Sequence, residues 1–152
     1  SIHASLISGG QELSSYPEEC CLQIERRTVP GETAAQVEAE LQAILDRLSA
    51  EDDQFNATLT MGVVREPFEI SEDAEIVRVL GRAVERELGQ EPVVYGGFGW
   101  MDSALLAAAG VPTAIFGPSG EGAHALVEWS DLASLEAVTR VIARVAYDFC
   151  GM

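Results

Sequence analysis

The sequence predicts an α/β fold in two pieces. Residues 1–68 read as a partial antiparallel ββαβ piece, and residues 69–152 as an αβαβα piece of a parallel or mixed sheet. Three observations carry this reading. Two period-2 apolar stretches near the start have a connection too short for a parallel crossover. Helical apolar stripes follow two start signals, Pro30-Gly31 and Ser71-Glu72-Asp73. Beyond residue 92, short apolar runs alternate with glycine loops and helical segments, the grammar of a layered sheet.

Residues 2–8 alternate Ile2, Ala4, Leu6 against His3, Ser5, Ile7, which predicts a strand ending at Gly9-Gly10. After a polar loop with Pro17, residues 19–29 place Cys20, Leu22 and Ile24 on one face and Cys21, Gln23, Glu25 and Arg27 on the other. Thr33 or Glu32 opens a helix on Val37, Leu41, Ile44, Leu45 and Leu48, closed by Glu51-Asp52-Asp53. Phe55, Ala57, Leu59, Met61 and Val63 predict a third strand. Residues 65–70, with Pro67, read as a linker. Ser71 is the expected N-cap of a helix on Ile76, Val77, Leu80, Val84 and Leu88, stopped by Gly89. Then come a short strand 93–95, a helix 102–109 ended by Gly110, a strand 113–116, a glycine loop 117–122, and a last helix 131–149 on Leu135, Val138, Val141, Ile142 and Val145. Two parallel strands want more neighbours and cover than these segments supply. Each piece is also small for a single core. The expectation is therefore a C-terminal part of a longer enzyme, or a chain completed by another copy; Ser1 is not expected to be a natural translation start.

Twenty-five acidic residues against nine basic ones, all arginine, give a formal charge of −16. That field repels nucleic acid and anionic membrane, so neither is an expected partner. No apolar run approaches the roughly 20 residues of a membrane span. Three cysteines, two of them adjacent, make a poor disulfide framework, and the expected setting is cytoplasmic and reduced.

Chemistry concentrates between Gly96 and Glu128, where two glycine-rich turns flank a short helix and one of the two histidines. A nucleotide-binding half domain would explain the glycines alone, but GGFGWMD is not GxGxxG and no downstream acidic ribose partner follows. Asp102 fits an N-cap for the helix after it. Trp100 and Trp129 stand near the rim. His3 begins an edge strand and reads as incidental.

The order of motifs resembles the di-zinc aminoacylase and exopeptidase family, which includes acetylornithine deacetylase, succinyl-diaminopimelate desuccinylase and glutamate carboxypeptidase. The matching residues are Gly9-Gly10, Pro17, the run Glu25-Arg26-Arg27-Thr28-Val29-Pro30-Gly31-Glu32, the turn Gly96-Gly97-Phe98-Gly99-Trp100-Met101-Asp102, and Gly117-Pro118, Gly120, His124 and Glu128. Ser14 departs from the pattern, standing where many members have Asn. The resemblance implies a zinc-binding α/β catalytic domain with an inserted lid that often dimerises. Residues 1–68 would be a partial lid and residues 69–152 the end of the catalytic domain.

On that resemblance His124 is the last metal ligand of a site expected to hold two zinc ions, and Arg27 clamps the substrate carboxylate. Gly117, Ser119 and Gly120 would offer backbone groups to the substrate. Glu128 would orient His124 or hold the helix after it. The general base would lie outside these residues, so no catalytic residue is assigned and the chain alone is expected to be inactive. The plain alternatives are an exposed strand arginine, a surface histidine and ordinary turns. The expected activity of the intact protein is hydrolysis of amide bonds in N-acyl amino acids or small peptides, by a homodimer. The competing expectation is a lid and dimerisation module without chemistry.

Overall fold

The first two strands form an antiparallel hairpin in the structure, a computed structural model that describes residues 1–151. Strand β1 (Ile2–Gly9) pairs with β2 (Cys20–Arg26). The register runs His3↔Glu25 and Ala4↔Ile24, then shifts to Leu6↔Gln23 and Ile7↔Leu22. Ser5 is the extra residue of a β-bulge, and everything after it changes face. The strict alternation expected for β1 is therefore corrected. Ile7 joins Ile2, Ala4, Leu22 and Ile24 on one face, while Leu6 moves to the side of His3, Gln23 and Glu25. Strand β2 is shorter than expected and ends at Arg26; one further pair of bonds joins Arg27 to Ser1, its N–H donating to the Ser1 carbonyl at 2.8 Å.

Helix α1 (Ala34–Glu51) begins at a capping box. The Thr33 hydroxyl accepts the Gln36 N–H, and the Gln36 side chain accepts the Thr33 N–H at 2.8 Å. Val37 is its buried residue, with Leu41, Leu45 and Leu48 half-buried below it, while Ile44 is exposed. Arg26 ties the end of β2 to this helix, donating to Glu40 from one terminal nitrogen and to Glu32 from the other. Glu32 also accepts the Val29 N–H at 2.9 Å, which closes the Pro30-Gly31 turn. The third strand expected over residues 55–63 forms no ladder. Phe55, Leu59 and Met61 are half-buried between exposed polar neighbours, so the alternation marked a face correctly but not a pairing partner.

The chain divides into two units, Ser1–Pro67 and Phe68–Met152. In the second, Ser71 caps a turn instead of a helix: its hydroxyl accepts the Asp73 N–H and its carbonyl the Ala74 N–H. Helix α2 (Glu75–Leu88) starts after that turn, without a side-chain cap, and stops at Gly89 in the left-handed region. Helix α3 (Ser103–Ala108) is followed by Gly110, whose N–H reaches Ala107 while Val111 reaches Leu106. A two-residue pair, β3 (Gly120–Glu121) with β4 (Trp129–Ser130), leads into helix α4 (Leu132–Cys150).

The core of this unit lies where α2 packs on α4. Val141 is fully buried against Ala83 and Val84, with Leu80, Leu88, Phe116 and Val145 around them. The stripe expected for α2 missed Val79 and Ala83, its deepest residues. A small side chain at 83 lets a second helix approach, which an apolar periodicity weighted toward large residues does not register. Arg144 on α4 reaches Glu87 on α2 at 3.3 Å. Segments 93–95 and 113–116 carry no ladder bonds either, so the two expected strands are not formed among the described residues. With both helices and antiparallel β pairs, the chain is α/β.

Candidate functional site

The candidate residues gather in two places, one in each unit. The first is the polar face of the β1–β2 hairpin. Glu25 and Arg27 are two residues apart on one strand, hence on one face. The Arg27 Nε–H donates to Glu25 Oε1 at 2.6 Å, both side chains being more than half exposed. His3 is the cross-strand partner of Glu25. The Arg27 guanidinium holds the Glu25 carboxyl below its ordinary range, first by that hydrogen bond and then by its charge, with a smaller contribution from the charge of His3. The neighbouring Arg26 has both ends of its fork engaged by Glu32 and Glu40, which pushes its pKa up. Sequence reasoning took His3 as incidental. The signal that would have placed it was the hairpin register, which the bulge conceals only beyond Ala4.

The second place is the β3–β4 hairpin. Two glycines make it possible. A Cβ on Gly120 would lie 2.2 Å from the Trp129 carbonyl oxygen, and one on Gly122 would lie 2.1 Å from that of Val127. Gly122 also has a φ of +81°, a conformation that side chains rarely adopt. The Ala125 N–H donates to the Gly122 carbonyl at 2.7 Å, closing a turn with His124 at its third position. His124 has a φ of +65°, the sole positive value at a non-glycine among the described residues. Such a residue costs backbone free energy and persists where the surroundings fix it. Its imidazole is exposed.

The base of this hairpin is tied to the start of α4. Asp131 is the N-cap, accepting the Ser134 N–H at 2.7 Å. Ser119 donates its N–H to the Ser134 hydroxyl at 3.0 Å and accepts the Asp131 N–H at 2.9 Å. The Ser119 backbone is thus occupied in holding the loop, and Gly120 is where it is because of a close backbone approach. Gly117 has open space around it. His124 and Glu128 share the loop, but no hydrogen bond joins them. Asp102 stands at the N-cap position of α3 without capping it by its side chain. With φ −60° and ψ −11° it is already helical, so its carbonyl, not its carboxylate, serves the first turn by accepting from Leu105 and Leu106. The expected side-chain cap is corrected accordingly. Arg27 belongs to the first unit and the other candidates to the second.

A metal site needs several donors converging on one point. Among the described residues no group of three or more His, Cys, Asp or Glu is so placed. His124 is a single donor on a constrained turn, and these residues do not make up a complete metal site. All three cysteines are free and exposed. No helix among the described residues is long and apolar enough to cross a membrane.

Known proteins align along nearly the whole chain. Succinyl-diaminopimelate desuccinylase of Hydrogenovibrio crunogenus is 25% identical over 138 residues, covering 91% of this chain and 35% of that protein. Acetylornithine deacetylase of Myxococcus xanthus is 26% identical over 151 residues, covering 99% of this chain and 38% of its own length. N-formyl-4-amino-5-aminomethyl-2-methylpyrimidine deformylase of Halalkalibacterium halodurans is 25% identical over 164 residues, with 99% and 38% covered. The chain thus spans little more than a third of the length of these relatives. The family described as peptidase family M20/M25/M40 matches residues 8–148, from the end of β1 through most of α4, and the chain belongs to that family.

Proposed function

We propose that this chain forms part of a zinc-dependent hydrolase that cleaves the amide bond of N-acyl amino acids or small peptides bearing a free carboxylate. The observation that carries the reading is His124, exposed and held left-handed at the tip of a glycine hairpin that only glycines can close. In this reading His124 contributes one ligand to a metal centre whose other donors, like the general base, lie outside these residues. Arg27 supports the carboxylate preference: its two terminal nitrogens have no partner among the described residues, and a planar fork suits a carboxylate. Gly117, Ser119 and Gly120 precede His124 in the same loop and would offer backbone groups to the substrate, while Glu128 and Asp102, in the same unit, would support the site. Residues 1–68 act as part of a lid and residues 69–152 as the end of a catalytic domain. The names of the relatives, a desuccinylase, a deacetylase and a deformylase, support amide cleavage. Free thiols support a reducing, cytoplasmic setting.

A second reading, a lid and dimerisation module without chemistry of its own, is favoured by the exposed apolar residues Ile2, Leu22 and Ile24 on one hairpin face. One experiment separates the two. The protein is expressed from its complete reading frame, and its zinc content, oligomeric state and turnover of a panel of N-acetyl amino acids are measured, alongside His124→Ala. Bound zinc and turnover, both reduced in the variant, support the hydrolase. A metal-free dimer without turnover supports the module.

A further inference from the structure

Two adjacent arginines on one hairpin end have opposite fates. Arg26 spends both terminal nitrogens on Glu32 and Glu40, fastening strand to helix. Among the described residues Arg27 is held only by its Nε edge, on Glu25 at 2.6 Å, and its terminal fork is left open. The Glu25–Arg27 pair is exposed, with 59% and 53% of the two side chains accessible, so fold stability is a poor explanation for it. A fork-to-fork pair would have neutralised Arg27 as a carboxylate receptor. An edge-on pair instead restricts the long side chain and leaves the bidentate face for another anion. His3, directly across the ladder, flanks Glu25 on the same face and keeps the negative charge of its carboxylate company.

We propose that Glu25 is a positioning residue: by gripping the Nε edge of Arg27 it aims the open guanidinium fork at the free carboxylate of the substrate. This inference rests on the substrate reading given above. Its consequence is selective, because losing the grip weakens recognition of the carboxylate and nothing else. In the protein expressed from its complete reading frame, Glu25→Ala is expected to raise KM for N-acetyl amino acids about tenfold, the lower end of what supporting hydrogen-bond partners contribute. The value of kcat stays within about twofold, as for a lost binding interaction that does not change between ground and transition states. The corresponding carboxamide substrates, which lack the carboxylate, show no change in KM. Glu25→Gln keeps an acceptor oxygen and recovers most of the loss, and the melting temperature of both variants matches that of the parent.

Arg27→Ala, measured beside them, separates the inference from the reading beneath it. If Arg27→Ala raises KM for the free acids and Glu25→Ala does not, Glu25 has no positioning role while the clamp stands. If Glu25→Ala raises KM equally for acids and carboxamides, or lowers the melting temperature in step, its role is structural and the proposal fails. If Arg27→Ala leaves the acid preference intact, or no substrate in the panel turns over, the underlying reading fails and takes the proposal with it.

Discussion

Replacing His124 with glycine is expected to strengthen the apo fold and weaken the zinc-bound one. The backbone at this position has a φ of +65°, and a residue with a Cβ in the left-handed region is disfavoured by roughly 1–2 kcal/mol. Glycine removes that penalty but adds freedom to the unfolded chain, which costs about 0.4–1 kcal/mol. The imidazole is exposed and makes no hydrogen bond among the described residues, so truncation removes none. The net expectation is a gain of about 0.5–1 kcal/mol, or roughly 1–4 °C in the melting of a protein of about 150–250 residues. His124→Ala keeps the Cβ and should show no such gain. Adding zinc at about 100 times its dissociation constant stabilises a protein that binds it by about 2.7 kcal/mol. In the protein expressed from its complete reading frame the parent should gain that increment and the glycine variant should not, so the order of stabilities reverses between chelator and zinc. Melting curves in the two buffers are the assay. A glycine variant less stable than the parent in chelator would refute the strain argument, and an equal response to zinc would refute the ligand assignment.

Three further outcomes follow from the same geometry. Thr33→Ala removes half of the capping box of α1 and should cost about 1 kcal/mol, measured by denaturant unfolding. Gly122→Ala combines a left-handed backbone with a Cβ 2.1 Å from the Val127 carbonyl, so it should cost about 2 kcal/mol or more and lower zinc retention, read by melting and metal content. The Glu32 carboxyl is held below its ordinary value of 4.5, first by the Val29 N–H and then by Arg26. A depressed carboxylate contributes stability that is complete above its unfolded pKa and disappears as pH falls through the folded one. The stability difference between the parent and Glu32→Gln should therefore shrink as pH is lowered from about 6 to about 3.

Most of the helices were legible because their signals are local. Thr33 with Gln36, Asp131 with Ser134, and Gly89 and Gly110 are caps whose chemistry is complete within one turn. The start of α2 was misplaced because Ser71 satisfies a preceding turn, and an N-cap side chain looks identical in either use. Strands behaved differently. Residues 55–63, 93–95 and 113–116 have the composition of strands, yet a ladder belongs to a pair of segments, and pairing is not written in one of them. The bulge at Ser5 was invisible for a related reason, since only the partner strand reveals that Ile7, not Leu6, faces with Leu22 and Ile24. At the candidate site, Gly117 and Gly120 are expected on the resemblance to offer backbone groups to a substrate, whereas the requirement for glycine at 120 and 122 comes from carbonyl oxygens of their own hairpin, a contact that only the folded turn reveals.

The two arginines show what a motif can and cannot assign. In the run Glu25-Arg26-Arg27 both guanidinium groups have the same chemistry, and both have carboxylates within a few residues. Parity separates them. Arg26 shares the face of Leu22 and Ile24, where the chain returns through Pro30-Gly31 to bring Glu32 and Glu40 into reach, so its charge is consumed locally. Arg27 lies on the opposite face, where the hairpin offers only Glu25, and at a spacing that permits contact with one edge of the guanidinium. The fastening of Arg26 to Glu32 and Glu40 on one face and the single edge contact of Arg27 with Glu25 on the other therefore leave the Arg27 fork open among the described residues, and the role proposed for it rests on that difference of face.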